Sequence, residues 1–204
     1  MPDRSDMNAI PAGGFWMGSD HHYAEEAPLR WREVGAFRMD RTPVTNRDFA
    51  RFIHDTGHVT VAERTPDPVL YPGVAPSRLK PGALVFGPRR DVAQHRHWGD
   101  WWRYRPGASW LKPDGRASVY RGRLDHPVVC VAFEDALAYA SWAGKDLPTE
   151  AEFEYAARGG LDRAVYGWGE DRRPGGRWMA NTWTGSFPNK PLACLLYTSD
   201  AADE

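Results

Sequence analysis

The sequence predicts an α+β fold in which little of the chain forms regular secondary structure. Its 204 residues include 20 Gly and 17 Pro, which favour turns, and 13% of them are aromatic. Large aromatic side chains can anchor irregular backbone around a core. The length corresponds to one domain at the usual size of about 100 to 200 residues.

Two segments near the N-terminus have the character of β-strands. The first, residues 15–18, follows the turn-forming sequence Pro11-Ala12-Gly13-Gly14. The second covers residues 32–40, and its expected inward-facing side chains are Val34, Phe37 and Met39. Because their spacing departs from strict alternation, we expect a bulge in the second strand.

Three short helices are predicted from capping residues. Thr45, with Asp48 three residues later, begins a helix that ends near Gly57 and places Phe49, Phe52 and Ile53 on one face. A second helix covers residues 134–143, with two acidic residues in its first turn and a glycine after its end. A third begins at a capping box and is closed by a glycine pair, and the residues that give these signals are Thr149, Glu152, Gly159 and Gly160.

In residues 66–123 the apolar side chains follow no sustained helix or strand periodicity, and the segment is rich in Pro, Gly, Arg and Trp. We expect a long structured loop region there, and loops of that length are usually functional. The apolar run 128–131 that follows predicts a strand in which Cys130 is buried as a small hydrophobic side chain.

Charge and cysteine content narrow the possible functions. Lys and Arg total 26 against 27 Asp and Glu, so no basic surface for nucleic acid or an anionic membrane is indicated. No apolar stretch approaches the roughly 20 residues that span a bilayer. The two cysteines, Cys130 and Cys194, are too few for a disulfide framework and fit a cytoplasmic location.

The tail, residues 194–204, resembles the translation of a sequencing adapter. We therefore expect the native sequence to be cut near Ala193 and exclude the tail from the fold. The alternative is a genuine short polar tail.

Several segments together resemble the formylglycine-generating enzyme (sulfatase-modifying factor) family. They cover residues 10–18, 26–28, 43–46, 56–60, 101–102, 142–145, 147–160, 168–169 and 180–188. Their order and spacing identify residues 9–193 as the N-terminal two-thirds of such a domain. The resemblance implies a C-type-lectin-like fold, incomplete at the C-terminus. It also implies oxidation of a cysteine in a sulfatase Cys-x-Pro-x-Arg segment to formylglycine, with molecular oxygen and copper(I), by a monomer.

The copper site is expected to be absent from this chain. In the family, two cysteines of the C-terminal third hold the copper, and Cys130 matches neither of them. A lone thiol cannot form the two-coordinate site that soft copper(I) favours. We therefore expect the fragment to be inactive, with no catalytic residue of its own.

The resemblance assigns three substrate-binding positions, Trp101, Asp67 and Ala62. An indole gives a flat apolar wall for an extended peptide, and a carboxylate can pair with the arginine of the client motif. The alternatives are that Trp101 belongs to the core and Asp67 is a turn residue.

Asn181 and Thr182 match a family segment whose Asn side chain and following carbonyl bind a structural calcium ion. Calcium takes about six to eight oxygen ligands, so these two residues are half a site. Alternatively, Asn181 is a turn former. The pairs His54/His58 and His95/His97 have spacings that metals can use, but neither pair is expected to bind one.

Two other functions compete with the oxidase. One is the iron-dependent sulfoxide synthase branch of the superfamily, which needs an added helical-bundle domain that the residues before position 10 do not contain. The other is a non-enzymatic ligand-binding or signalling module on the same scaffold. The long insertion with its Trp pair favours the oxidase.

Overall fold

The computed structural model describes residues 7–87, 100–180, 182–187 and 190–191. Their contacts form two compact units. The first, called the α3 unit after its helix α3 (Glu150–Arg158), comprises residues 7–41 and 146–180. The second, called the α1–α2 unit after its helices α1 (Asn46–Thr56) and α2 (Phe133–Ala143), comprises the described parts of 42–145 and of the segment after 181. Within the described residues, no helix has the length and apolar character needed to cross a membrane.

The α3 unit contains two antiparallel pairs of short strands. β1 (Met7–Ile10) pairs with β4 (Phe37–Asp40), and β2 (Gly13–Met17) pairs with β3 (Arg30–Val34). The prediction of a first strand near residues 15–18 is confirmed with slightly earlier bounds.

The prediction of one bulged strand over residues 32–40 is wrong, because the segment breaks at Gly35-Ala36 into two strands with different partners. The strands that pair with this segment, β1 and β2, are interrupted at the same level, at Pro11-Ala12. Pro11 has no N–H to donate to a ladder. Val34 is buried with Phe15 and Met17, whereas Phe37 packs at the edge of this cluster. The spacing that resembled a bulge is therefore a change of strand.

Helix α3 (Glu150–Arg158) starts and ends as its sequence predicts. The Thr149 hydroxyl accepts a hydrogen bond from the Glu152 N–H, the Glu152 carboxylate accepts one from the Thr149 N–H, and Gly159 ends the helix at φ 56°. Tyr155 packs on Phe15, with ring centroids 5.3 Å apart. The helix thus covers the small core of its own unit.

Gly18 shows why the N-terminal segment needs glycine. Its φ is 87°, and a Cβ atom there would lie 2.3 Å from the Glu26 carbonyl oxygen. Its N–H donates to Glu154 Oε1 at 2.9 Å, and its carbonyl accepts from Arg158 Nη2 at 3.3 Å. A larger residue would push this loop away from α3.

In the α1–α2 unit, α1 (Asn46–Thr56) confirms the first predicted helix. Thr45 caps it, and Gly57 closes it at φ 66°. Burial raises the pKa of the Asp48 carboxyl, but hydrogen bonds from Thr45 and Arg51 outweigh burial, so the net pKa is lowered. Helix α2 (Phe133–Ala143) confirms the second and ends at Gly144. The buried core between them consists of Phe49, Phe52, Trp110, Val119, Tyr139 and Ala143.

The described parts of the predicted loop region 66–123, residues 66–87 and 100–123, are largely irregular but contain an unpredicted sheet. β5 (Gly82–Phe86) pairs antiparallel with β6 (Trp102–Pro106). The alternation of Trp, Arg, Tyr and Arg along β6 is the period-2 signal that a strand produces, and it could have been read from the sequence. After this sheet come the two-residue strands β7 (Gly185–Ser186) and β8 (Lys190–Pro191), which pair with each other.

Candidate functional site

Trp101 lies at the end of the β5–β6 sheet and is half-buried. Its carbonyl oxygen accepts a hydrogen bond from the Gly87 N–H at 2.7 Å, which extends the ladder by one step beyond the register pair Phe86 and Trp102. The Trp101 ring meets Phe187 edge-on, with centroids 5.4 Å apart. Trp101 is not among the residues of the α1–α2 core.

Five aromatic side chains meet at this end of the sheet, and we call them the aromatic cluster: Phe86, Trp101, Trp102, Trp183 and Phe187. Phe86 is central, with ring centroids 5.8 Å from Trp102, 5.8 Å from Trp183 and 6.1 Å from Phe187. Trp183 and Phe187 also meet edge-on at 5.2 Å. These tilted and edge arrangements are the ones that aromatic quadrupoles favour.

The aromatic cluster offers surface as well as packing. Phe187 is 48% exposed. The indole Nε1 of Trp183 is buried and has no hydrogen-bond partner among the residues the structure describes. A buried N–H without a partner is costly, so this donor is an unsatisfied group in the packing of the described residues.

Phe86 and Trp102 of the cluster lie on one face of the β5–β6 sheet. Two residues further along each strand, the cross-strand pair Leu84 and Tyr104 lies on the same face. Both side chains are about half exposed, Leu84 at 50% and Tyr104 at 47%. The Tyr104 hydroxyl donates to the Lys80 carbonyl oxygen at 2.6 Å. Burial raises the pKa of Tyr104, and the nearby Tyr71 raises that pKa further. This face is therefore apolar and neutral along its length.

Ala62 lies in the 3-10 turn Val61–Glu63 and is 8% exposed. The turn lies against β5. Ala62 and Trp101 are thus brought to the same small sheet from positions far apart in the sequence. Because its methyl group is buried, Ala62 can shape this side of the sheet but presents little surface.

Asp67 is exposed and caps the 3-10 turn Pro68–Leu70, where its Oδ1 accepts the Val69 N–H at 2.9 Å. The turn role considered from sequence is therefore observed. It does not conflict with peptide binding, because a carboxylate has several further lone pairs that can accept hydrogen bonds.

Sequence reasoning missed a buried carboxylate, that of Asp135, which accepts several hydrogen bonds next to the Ala62 turn. Asp135, expected only to favour the α2 dipole, is fully buried. It accepts hydrogen bonds from the Ala132 N–H at 2.8 Å, the His58 Nε2 at 2.8 Å and the Val61 N–H at 3.3 Å. Its distance in sequence from His58 is 77 residues, so no local signal could have revealed the contact.

Comparison with known proteins identifies the family of the chain. A profile of the sulfatase-modifying factor enzyme 1-like domain matches residues 2–201. The chain belongs to this family. Sequence analysis had predicted the same family from its motifs.

The curated relatives include proteins named formylglycine-generating enzyme and one whose name calls it inactive. The chain is 55% identical over 184 residues to a formylglycine-generating enzyme of Mycobacterium tuberculosis, covering 90% of this chain and 61% of the relative. It is 44% identical to one of Streptomyces coelicolor, covering 88% and 55%. It is also 37% identical to an inactive C-alpha-formylglycine-generating enzyme 2 of Bos taurus, covering 90% and 58%. The chain therefore spans less than two-thirds of the length of each of these relatives.

Cys130 differs from its prediction in both conformation and burial. It lies in no strand, its φ is 59°, and it is only half-buried. Its Sγ is 3.8 Å from the Pro113 carbonyl oxygen. Residues 128–131 follow the irregular path between the core and α2 instead of pairing in a sheet, so an apolar run here reflects packing against the core.

The described residues do not fit the copper site that the family implies. Copper(I) favours two thiolates, and Cys130 is the one cysteine in the described part of the chain, since Cys194 lies outside it. In the same part of the chain, no group of three or more His, Cys, Asp or Glu side chains is placed to hold a metal ion.

The other metal-related residues have separate environments. Thr182 is half-buried beside Trp183, while Asn181 lies outside the described residues, so calcium binding stays a prediction. His54 is 88% exposed in its side chain and contacts Asp55, whereas His58 contacts Asp135. His95 and His97 lie outside the described residues.

Proposed function

We propose that this chain is the peptide-binding part of an enzyme that oxidises a cysteine in the sulfatase Cys-x-Pro-x-Arg motif to formylglycine. The observation that carries the proposal is the half-exposed aromatic cluster around Trp101, on the small sheet against which the Ala62 turn also lies. An apolar wall of rings suits an extended, unfolded segment, since rings make contact area at low entropic cost. The relatives named formylglycine-generating enzymes support the same activity.

Each predicted substrate residue has a distinct part in this proposal. Trp101 contributes the wall against which the client peptide lies, Ala62 sets the width of the site at β5, and Asp67 pairs with the arginine of the motif. Recognition would then combine apolar contact with a few placed polar groups, as in most binding sites.

The oxidation itself is proposed for the intact protein, with molecular oxygen and copper(I). Cys130 is the one thiol among the described residues and matches neither copper ligand of the family, so the chain alone is proposed to bind the peptide without converting it. Asn181 and Thr182 are proposed to contribute to a structural calcium site. We also propose a C-type-lectin-like fold, a monomeric state and a cytoplasmic location, the last because two cysteines are too few for an oxidised framework.

One finding favours a second function. The similarity to an inactive C-alpha-formylglycine-generating enzyme 2 shows that a related scaffold carries that name at 37% identity. If this chain resembles that relative in function, it is a non-enzymatic binding module that keeps the aromatic cluster.

The test is to read the uninterrupted coding frame downstream of Pro191 and to assay the protein it encodes. We expect a cysteine followed about five residues later by a second one. We also expect that protein to convert the peptide to an aldehyde with oxygen and copper(I). A frame without the cysteine pair, or an unchanged peptide, would favour the binding module.

A further inference from the structure

The carboxylate of Asp135 is fully buried, and burial of a carboxylate is costly unless hydrogen bonds and opposite charge compensate it. One of its donors, the Ala132 N–H, is a local cap of α2. The others come from a distant segment: His58 Nε2 at 2.8 Å and the Val61 N–H at 3.3 Å. Arg64 Nη2 adds a positive charge at 3.7 Å. Segment 58–64 therefore provides most of the compensation.

Segment 58–64 is held together by hydrogen bonds among its own residues. Thr60 is fully buried, and its N–H and hydroxyl both donate to Glu63 Oε2, at 3.1 and 2.7 Å. Arg64 bonds the Val59 carbonyl oxygen at 3.0 Å and pairs with Glu134 at 2.6 Å. A shift where the segment meets Asp135 would thus displace the whole turn.

Ala62 follows Val61 directly, and its turn lies against β5, while Asp67 lies four residues after the turn ends at Glu63. We infer that Asp135, acting through His58 and Val61, is a positioning residue that holds segment 58–64 in place for the client peptide. It acts through that segment, without contacting the peptide. This inference rests on the proposed function.

Histidine variants test the inference while leaving the buried carboxylate in place. His58→Phe removes the Nε2 donor but keeps a ring to pack on Phe52, whose centroid lies 5.2 Å away. His58→Gln restores an N–H donor. His54→Phe is the matched control, because His54 is a mostly exposed histidine at the end of the neighbouring helix α1.

Three quantities are measured on the 204-residue chain. They are the affinity for a fluorescent Cys-x-Pro-x-Arg peptide by anisotropy, amide hydrogen exchange at residues 59–64, and the melting temperature. We expect His58→Phe to weaken peptide binding about tenfold, which is about 1.4 kcal/mol, and to speed exchange in the segment. His58→Gln should recover affinity to within about threefold of wild type, and His54→Phe should match wild type.

The outcomes separate the inference from the proposed function. If wild type binds the peptide and His58→Phe binds it equally well, the positioning role is wrong while the peptide site stands. If wild type does not bind the peptide at all, the proposed function fails, and the positioning role fails with it. A loss in His58→Phe that His58→Gln does not restore would assign His58 a packing role and overturn the inference. Should His58→Phe not fold, His58→Asn replaces it, because the shorter amide does not reach the Asp135 carboxylate. Its peptide affinity should again fall about tenfold relative to His58→Gln, and an affinity equal to wild type would overturn the inference.

Discussion

Replacing Asp67 with Asn should weaken binding of the arginine-containing client peptide much more than binding of the same peptide with that arginine replaced by norleucine. The substitution isolates charge, because an Asn side chain keeps the carbonyl oxygen that accepts the Val69 N–H. Asn is also about as good a cap as Asp, so the turn Pro68–Leu70 should persist. What the variant loses is the negative charge offered to arginine.

The magnitude follows from the exposure of Asp67. An ion pair that stays in water contributes about 0.2–1 kcal/mol, which is at most about a fivefold change in affinity. A charge-assisted hydrogen bond that becomes enclosed contributes about 1.5–3 kcal/mol. Because a bound peptide can shield only one side of an exposed turn, we expect a loss of about three- to tenfold.

The assay is fluorescence anisotropy with the two peptides, repeated at low and high salt. An ion pair on this exposed turn should weaken as salt rises, so the difference between wild type and variant should shrink. Asp67→Ala serves as the second variant, since it removes the cap together with the charge. Equal losses on both peptides would show that Asp67 supports the turn only, and an unchanged affinity for both would remove it from the site.

Three further predictions concern chemistry and stability. Incubated with copper(I), a thiol reductant, oxygen and the client peptide, the 204-residue chain should leave the peptide mass unchanged, since Cys130 matches neither copper ligand of the family and Cys194 belongs to the adapter-like tail; detectable aldehyde would contradict this. The intact protein should melt at a higher temperature with calcium than with chelator, and a shift that survives Asn181→Ala would exclude that residue as a ligand. Hydrogen bonds from the Thr149 backbone and side chain lower the pKa of Glu152 from 4.5, so its contribution to stability is complete above that value and disappears as pH falls through the lowered pKa. Glu152→Gln should therefore lower the melting temperature at pH 7 but not at about pH 2 to 3, and an equal loss at both would contradict a role for the charge.

Helix ends were readable from the sequence because their causes are local. A cap joins residues three positions apart, as Thr149 and Glu152 show, and a closing glycine needs only its own freedom to adopt positive φ, as at Gly57. The apolar face of α1 followed from the same short spacing. Family membership was readable too, because ordered motifs over most of the chain carry it.

Strand pairing was predicted less well because it depends on a partner. Residues 32–40 look continuous in sequence, yet Val34 pairs with Gly13 and Phe37 with Ile10 across a break. The prediction that Cys130 is buried in a strand was wrong for a similar reason. An apolar run in the sequence does not show whether the segment pairs in a sheet.

The sequence by itself determined the helices and their caps, and its resemblance to the family nominated the three candidate peptide residues, which stay a prediction. Tertiary structure alone decided that Trp101 joins rings from β5 and from segment 182–187, and that the Ala62 turn lies against that same sheet. It also decided that Asp135 is buried against a histidine 77 residues away. The physical reason is that burial of a charge or an aromatic ring is a property of all the groups around it, and those groups come from distant parts of the chain.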